Sequence, residues 1–404
     1  MTKKYYELTP DERLASLNLK QETMTAFQEN QTPQHAQIIE NYISDFRVPM
    51  GMLHDIIVNG QHVSVPMAIE EPSVIAAANN GAKMINSVGG VKAMLPKRTA
   101  MIGQMMFVDM PITVLDDFVL SHQNELLAIA QRAKPTIYQR GGGLLSVTTR
   151  QVSPTEVSVD FIIDTQDAMG ANIVNTILEA EISAFSKFET HLIGVILSNH
   201  ALKQIVTVKV NMTFDSVGGH DVAKKIVALN HFAKNDPYRA TTENKGLFNG
   251  IGAVVLATGN DWRAVEASGQ AYASRDGQYR ALASWTIQED QLIGELSMPI
   301  SVGTVGGAIS AMPQAKNVLN IMKITSADEL RTIILATGLA QNLAALKAIA
   351  SGGIQRGHMR MQYRVLALQV GATMAEVPIL VAKLNQLKQV DTTIASKLLS
   401  EIRK

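Results

Sequence analysis

The spacing of apolar residues changes near residue 98 and changes back near 213, and this limits what the chain can fold into. Val206, Val208, Val210 and Met212 alternate with Thr207, Lys209, Asn211 and Thr213, as in a strand with one buried face. Ahead of them the pattern predicts a strand at 105–109, a helix at 115–132 and strands at 144–152 and 156–164. The two later strands are joined by Ser153-Pro154-Thr155, and a helix follows at 168–188. In the order βαββαβ these elements make a ferredoxin-like sheet with helices on one face. The expected fold class is α+β: a large mixed α/β domain, 1–97 and 214–352, with a small domain, 98–213, inserted into it.

At 404 residues the chain is long enough for two or three domains with a full core. Residues 9–30 predict short helices: Thr9 caps, Pro10 takes the first helical position and Glu12 lies three residues after the cap. Residues 73–87 predict a small-residue helix capped by Ser73. Glu70-Glu71-Pro72 precedes it, so Glu71 stands at a strand-to-helix turn, where side chains reach a cleft. Residues 327–351 predict one long apolar helix or a close pair, and 359–404 read as helical, with 384–404 amphipathic and basic at its end.

Several function classes are disfavoured. Basic and acidic side chains balance at 36 each, so no charge excess points to nucleic acid or an anionic membrane surface. The longest apolar stretches, such as 333–346, are broken by Thr, Gly, Gln and Asn, short of the roughly 20 apolar residues of a membrane helix. The N-terminal MTKKYYELTPDERL has no apolar leader, so a cytoplasmic protein is expected. There is no cysteine, which excludes disulfides, cysteine-ligated metal and an acyl-cysteine intermediate. Apart from His358, the histidines show no HxxxH spacing, and no metal is expected.

The densest chemistry lies in 236–263, where Arg239, Lys245, Asn249 and Asp261 flank an apolar run, 251–257, that reads as a buried strand or helix. Lys245-Gly246 and Asn249-Gly250 predict turns that let backbone approach a ligand. Lysine, arginine and carboxylate around a rigid element can hold an anion and steady a developing oxyanion. A polar loop of solvated charges has the same spacing. Asp167, Ala168, Met169, Gly170, Ala171 and Asn172 open a helix, whose free N–H groups suit a phosphate. They form no GxGxxG fingerprint, and an Asp-capped structural helix is the other reading. Gly141-Gly142-Gly143 reads either as a companion loop or as a plain turn.

Segment 236–263 resembles the core of the class II, bacterial-type 3-hydroxy-3-methylglutaryl-CoA (HMG-CoA) reductases. So do 68–78 (AIEEPSVIAAA), 167–176 (DAMGANIVNT), 298–308 (MPISVGTVGGA) and 353–359 (GIQRGHM), in the family's order and spacing. The resemblance implies a four-electron reduction of HMG-CoA to mevalonate and CoA with two NADPH. It implies a coupled catalytic network of Glu71, Lys245 and Asp261, with His358 protonating the CoA thiolate. It implies that Arg239 grips the free carboxylate of the substrate, and that Ser73, Asn249 and Gln341 bond the acyl group or the network. Ser73 serves equally as a helix cap. Residues 167–172 would hold the dinucleotide on the small domain, 303–307 would shape a wall of the site, and 353–404 would be a mobile flap. A homodimer or larger oligomer follows, with the site at the interface.

Where NAD-preferring relatives carry aspartate, this chain has Lys134, with Arg132 and Arg140 near, a set that attracts a 2′-phosphate. NADPH is therefore the expected cofactor, with NADH possible. One departure stands out: relatives usually read ENVIG in a segment tied to CoA binding and the dimer interface. This chain has Glu40-Asn41-Tyr42-Ile43-Ser44 there. Two other functions stay open on sequence: NAD-dependent oxidation of mevalonate, and a non-catalytic nucleotide- or CoA-binding homologue.

Overall fold

The structure, a computed structural model, describes residues 3–352, 363–387 and 390–403. Helix α1 (Pro10–Ala15) opens on the expected capping box: Thr9 Oγ1 accepts from the Glu12 N–H at 3.2 Å, and Glu12 Oε2 accepts from the Thr9 N–H at 2.7 Å. Helix α2 (Gln21–Gln28) follows. Strands β1 (Met50–Val58) and β2 (Gln61–Ala68) form an antiparallel hairpin. Its turn is Asn59-Gly60, both at positive φ (51° and 83°), the geometry that matches strand twist. Helix α3 (Pro72–Asn86) packs against β1.

The inserted sheet has the expected ferredoxin-like order. After β3 (Lys92–Met94) come β4 (Met101–Val108), α4 (Ile112–Ala133), α5 (Pro135–Gln139), β5 (Gly143–Ser153), β6 (Glu156–Asp164), α6 (Ala171–Glu181) and β7 (Leu192–Ser198). The order across the sheet is β5-β6-β4-β7, every pair antiparallel. Met101, Met105 and Phe107 of β4 point to one face, where Leu115, Phe118 and Leu126 of α4 and Val174, Ile177 and Leu178 of α6 bury them.

The last strand of this sheet differs from the sequence reading. The alternating strand, β8 (Ile205–Thr213), does not close this sheet; it lies between β3 and β10 in the larger domain, with Val210 opposite Gly294. The fourth strand of the insertion is β7, whose sequence LIGVILS is a continuous apolar run without alternation.

The larger domain adds α7 (Phe214–Val217), α8 (His220–Asn235), α9 (Pro237–Ala257), α10 (Trp262–Ala273), β9 (Ala283–Gln288), β10 (Gln291–Pro299), α11 (Pro313–Met322) and α12 (Ala327–Ala350). Its sheet runs β3-β8-β10-β9. The predicted turns at Lys245-Gly246 and Asn249-Gly250 are absent, because both pairs lie inside the single helix α9, started by Pro237 and capped by Asp236. Gly250 serves packing instead: a Cβ there would lie 2.9 Å from Gln341 Cβ of α12. Helix α12 is long and apolar enough to cross a membrane, yet most of its apolar window is buried in the core.

At the C-terminus the helices at 363–369, Glu376–Leu384 and Thr392–Ile402 share their own small core, centred on Ala367, Leu380, Leu384 and Leu399. The helix expected over 384–404 begins only at Thr392, where Asp391 caps it. Segment 353–359 lies outside the described residues.

Glu181 is fully buried at the end of α6, without an aligned hydrogen bond to either carboxyl oxygen. Burial pushes its carboxyl from the ordinary 4.5 up to about 8, helped by Glu125 and opposed by the Ala130 backbone and Arg132. The folded chain thus holds a proton there that the unfolded chain releases near 4.5, so stability falls as pH rises from 4.5 through 8. Glu181→Gln should remove that fall, gaining on the order of 3 kcal/mol on wild type between pH 5 and pH 8. Urea unfolding across that range measures it; parallel curves for the two proteins would refute the assignment.

Candidate active site

The first cavity, about 550 Å³, lies between α3, α9 and α12. Glu71 is the last residue before α3, and Pro72 at the first helical position holds it there. Ser73 is not the cap: it sits within the first turn, and its hydroxyl donates to Glu71 Oε1 at 2.6 Å. Lys245 reaches Glu71 from α9, Nζ to Oε2 3.4 Å, with side chains 65% and 35% exposed.

Helical spacing explains the rest of the lining. Arg239, Thr242, Lys245, Gly246 and Asn249 recur at three- and four-residue steps, so one face of α9 presents them all. Gln341 and Asn342 face them from α12, and Gln341 Oε1 is buried with no hydrogen-bond partner among the described residues.

The sequence reading missed Glu243 and Asn342. Glu243 stands one turn after Arg239, only 2% exposed, with Oε2 3.2 Å from Arg239 Nη2. Its Oε1 accepts from Asn230 Nδ2 at 2.8 Å and from Asn342 Nδ2 at 3.3 Å, and Trp285 Nε1 donates to Asn342 Oδ1 at 2.7 Å. Burial raises the Glu243 carboxyl above its ordinary value; Asn230, Arg239, Asn342 and Lys234 oppose the rise. The signal available was the i, i+4 spacing of Arg239 and Glu243, legible only once this stretch is known to be helix.

The second cavity, about 630 Å³, is lined by Ala168, Met169, Gly170, Ala171 and Asn172, and also by Asp261, Arg263, Gly306 and Gly307. Gly170 caps α6 at φ 98°, leaving the helix's first N–H groups toward the opening. Asp167 does not line it: Oδ1 accepts from the Ala327 N–H and its carbonyl from the Thr304 N–H, both at 2.8 Å. Gly303 lies so close that a Cβ would stand 2.5 Å from Met169 N. Asn260 holds Gly303 by both backbone groups, at 3.0 and 2.8 Å. The buried Arg331 pins the preceding loop through the carbonyls of Ile300 and Val302.

Asp261 caps α10, accepting from the N–H groups of Arg263 and Ala264, with Arg263 Nη2 at 3.1 Å. It does not meet Lys245. From Lys245 to the end of α9 at Ala257 is roughly 18 Å at the helical rise, and Asp261 lies beyond that end. The predicted Glu71–Lys245–Asp261 set is therefore divided between two cavities of one chain.

Lys134 stands between α4 and α5, half-buried and outside the lining of the second cavity. The loop 141–143 lies beside the end of β6, just ahead of 167–172: a Cβ on Gly142 would be 2.6 Å from Asp164 O, and Arg98 braces Gly141 and Asp164. His358 lies outside the described residues. Among the described residues no group of three or more His, Asp or Glu could hold a metal ion.

Tyr42 and Ser44 are packing residues. The Tyr42 hydroxyl accepts from the Thr32 N–H at 2.8 Å and donates to Asp45 at 3.0 Å, while Ser44 Oγ donates to Phe27 O at 2.7 Å.

Comparison with known proteins gives concordant matches. The family model described as hydroxymethylglutaryl-coenzyme A reductase matches residues 9–363. The 3-hydroxy-3-methylglutaryl-coenzyme A reductase of Archaeoglobus fulgidus is 36% identical over 385 residues, 92% of this chain and 88% of the other. Among solved structures, the class II enzyme of Streptococcus pneumoniae bound to NADPH in open conformations superposes with a TM-score of 0.77 at 38% identity, over 98% of this chain and all of that one. A second structure of the Streptococcus pneumoniae reductase gives a TM-score of 0.78, covering 99% of each chain.

Gly303→Ala should force Met169 N and Asp167 O away from the new Cβ, deforming the start of α6. Affinity for a nicotinamide dinucleotide should fall at least ~10-fold, with affinity for the acyl substrate unchanged. Titration of nucleotide fluorescence measures it.

Proposed function

Because this chain belongs to the hydroxymethylglutaryl-coenzyme A reductase family, we propose that its two cavities are the two halves of one reductase site, completed when two copies meet. The chain is an oxidoreductase of the class II type that reduces HMG-CoA to mevalonate and CoA, with two NADPH consumed. The observation that carries the two-copy reading is the division of the charged set: Glu71, Lys245 and Arg239 in one cavity, Asp261 and the dinucleotide motif in the other. Phe46 and Tyr238, 93% and 87% exposed, are apolar surface that a second copy would cover.

The open N-terminus of α6 and the side-chain-free Gly306 and Gly307 suit the pyrophosphate of a dinucleotide. NADPH bound there supplies the hydride. In the other half, Arg239 grips the free carboxylate of the substrate, and Gln341 Oε1 accepts a donor from the acyl group. Lys245 stabilises negative charge building on the thioester oxygen. Glu71, oriented by the Ser73 hydroxyl, gives that oxygen its proton. Asp261 of a second copy adds a carboxylate beside Lys245, holding the ammonium in place. His358 is assigned the protonation of the leaving thiolate. Running the reaction in reverse with NAD has less support, since the solved relative is bound to NADPH.

Lys245→Met and Asp261→Asn should each lower kcat at least ~10²-fold while leaving the circular dichroism spectrum intact. Unfolded and refolded together in equal amounts, the two variants should regain roughly a quarter of wild-type NADPH oxidation, because mixed dimers rebuild one intact site in two. No recovery would refute a site shared between copies.

A further inference from the structure

Arg239 has one guanidinium and two claimants. Glu243 approaches it, Oε2 3.2 Å from Nη2, and both residues line the open cavity, Glu243 with its side chain only 2% exposed. The contact with Glu243 is a charge contact, not an aligned hydrogen bond: Oε2 is buried and has no hydrogen-bond partner. Resting on the reading that Arg239 takes the free carboxylate of the substrate, the arrival of that group sets two carboxylates against a single cation in a half-closed pocket. Like charges so placed cannot both stay ionised at little cost. Substrate carboxylate is the more acidic of the two, because Glu243 is held almost entirely out of water.

We propose that Glu243 is a positioning residue that competes with the substrate's carboxylate for Arg239, so that binding HMG-CoA takes up one proton at Glu243. The balance is simple: ionised Glu243 paired to Arg239, plus substrate anion, plus one proton, gives neutral Glu243 and an Arg239–substrate ion pair. The surroundings favour this exchange. Asn230 from α8 and Asn342 from α12 donate to Oε1 and keep the carboxyl in place in either form. The charged groups that face Glu243 are Arg239 on its own helix and Lys234 from α8. Lys234 has its own burial and the nearby Arg275 working against its charge, so it compensates Glu243 weakly. Burial already raises the Glu243 carboxyl before substrate arrives, which brings the exchange toward working pH.

The sign follows from linkage. At low pH Glu243 is neutral and Arg239 is free for substrate; as pH rises through its titration, substrate must displace an ionised carboxylate and affinity falls. Above that titration log KM for HMG-CoA should rise by about one unit per pH unit, while KM for NADPH and kcat do not share the slope. Calorimetric binding of HMG-CoA without nucleotide, in buffers of different ionisation enthalpy, should show uptake of about one proton in that range. Acetyl-CoA, which lacks the free carboxylate, should bind with none. In Glu243→Gln the uptake and the slope of KM should both vanish, with affinity at alkaline pH above that of wild type. Equal proton uptake for HMG-CoA and acetyl-CoA, or an unchanged slope in the variant, would overturn the proposal. So would a variant with weakened binding at every pH, since Glu243 would then be an orienting anion only. The comparison of two ligands on wild type decides the matter even if the variant does not fold. Undiminished HMG-CoA binding by Arg239→Ala would overturn the site reading itself, a result distinct from all of these.

Discussion

Gly81 meets α12 with no room to spare: a Cβ on it would stand 1.9 Å from the carbonyl oxygen of Ala340. Next along α12, Gly338 accepts the Ile251 side chain of α9, and Gly250 of α9 lies against Gln341. Small residues at these crossings let three helices approach at backbone distance, and α12 is buried all round as a result. The rest depends on that contact. The start of α3 carries Glu71, α9 carries Arg239 and Lys245, and α12 carries Gln341 and Asn342, so the packing sets the distances across the cavity. The same helix α12 reaches the second cavity at its other end, where Arg331 and the Ala327 N–H tie down the loop around Gly303 and the turn at Asp167.

The two charge pairs of the first cavity are of different kinds. Lys245 and Glu71 are open to water and 3.4 Å apart, a contact that contributes little by itself. It gains strength only when water is excluded, as the proposed second copy would do by closing over the cavity. Glu243 is buried already and Arg239 is partly so, and removing either partner is costly because it leaves the Glu243 carboxyl without a counter-charge out of water. The exposed pair can exchange partners at little cost, whereas the pair with Glu243 sets the charge that Arg239 presents to the cavity.

Much of the architecture was legible in the residues, and the failures have physical causes. The βαββαβ order was visible because most of its elements alternate or repeat at helical spacing. Its last strand was misplaced because β7, Leu192–Ser198, carries no period-two signal and β8 carries a strong one. Alternation shows that a strand has one buried face, not which sheet buries it. Asn59-Gly60 is a hairpin signal in the sequence and does turn the chain between β1 and β2, while Lys245-Gly246 and Asn249-Gly250 look alike in sequence but lie inside α9. Glycine between apolar residues marks either a bend or a close helix crossing, and only the neighbouring helix distinguishes them.

The sequence by itself determined which chemistry is present: a lysine and a glutamate at 245 and 71, the guanidinium of Arg239, the glycine-opened helix at 170 and the absence of any thiol. These are local, since residue type and short-range spacing state them. Tertiary structure alone decided how they are grouped. It put Asp261 beyond the far end of α9 from Lys245, brought Glu243 beneath Arg239, and moved β8 out of the inserted sheet. Those relations join residues far apart in the chain or turn on the length of one helix. Side-chain period carries no record of what a face will meet, so the packed fold had to supply it.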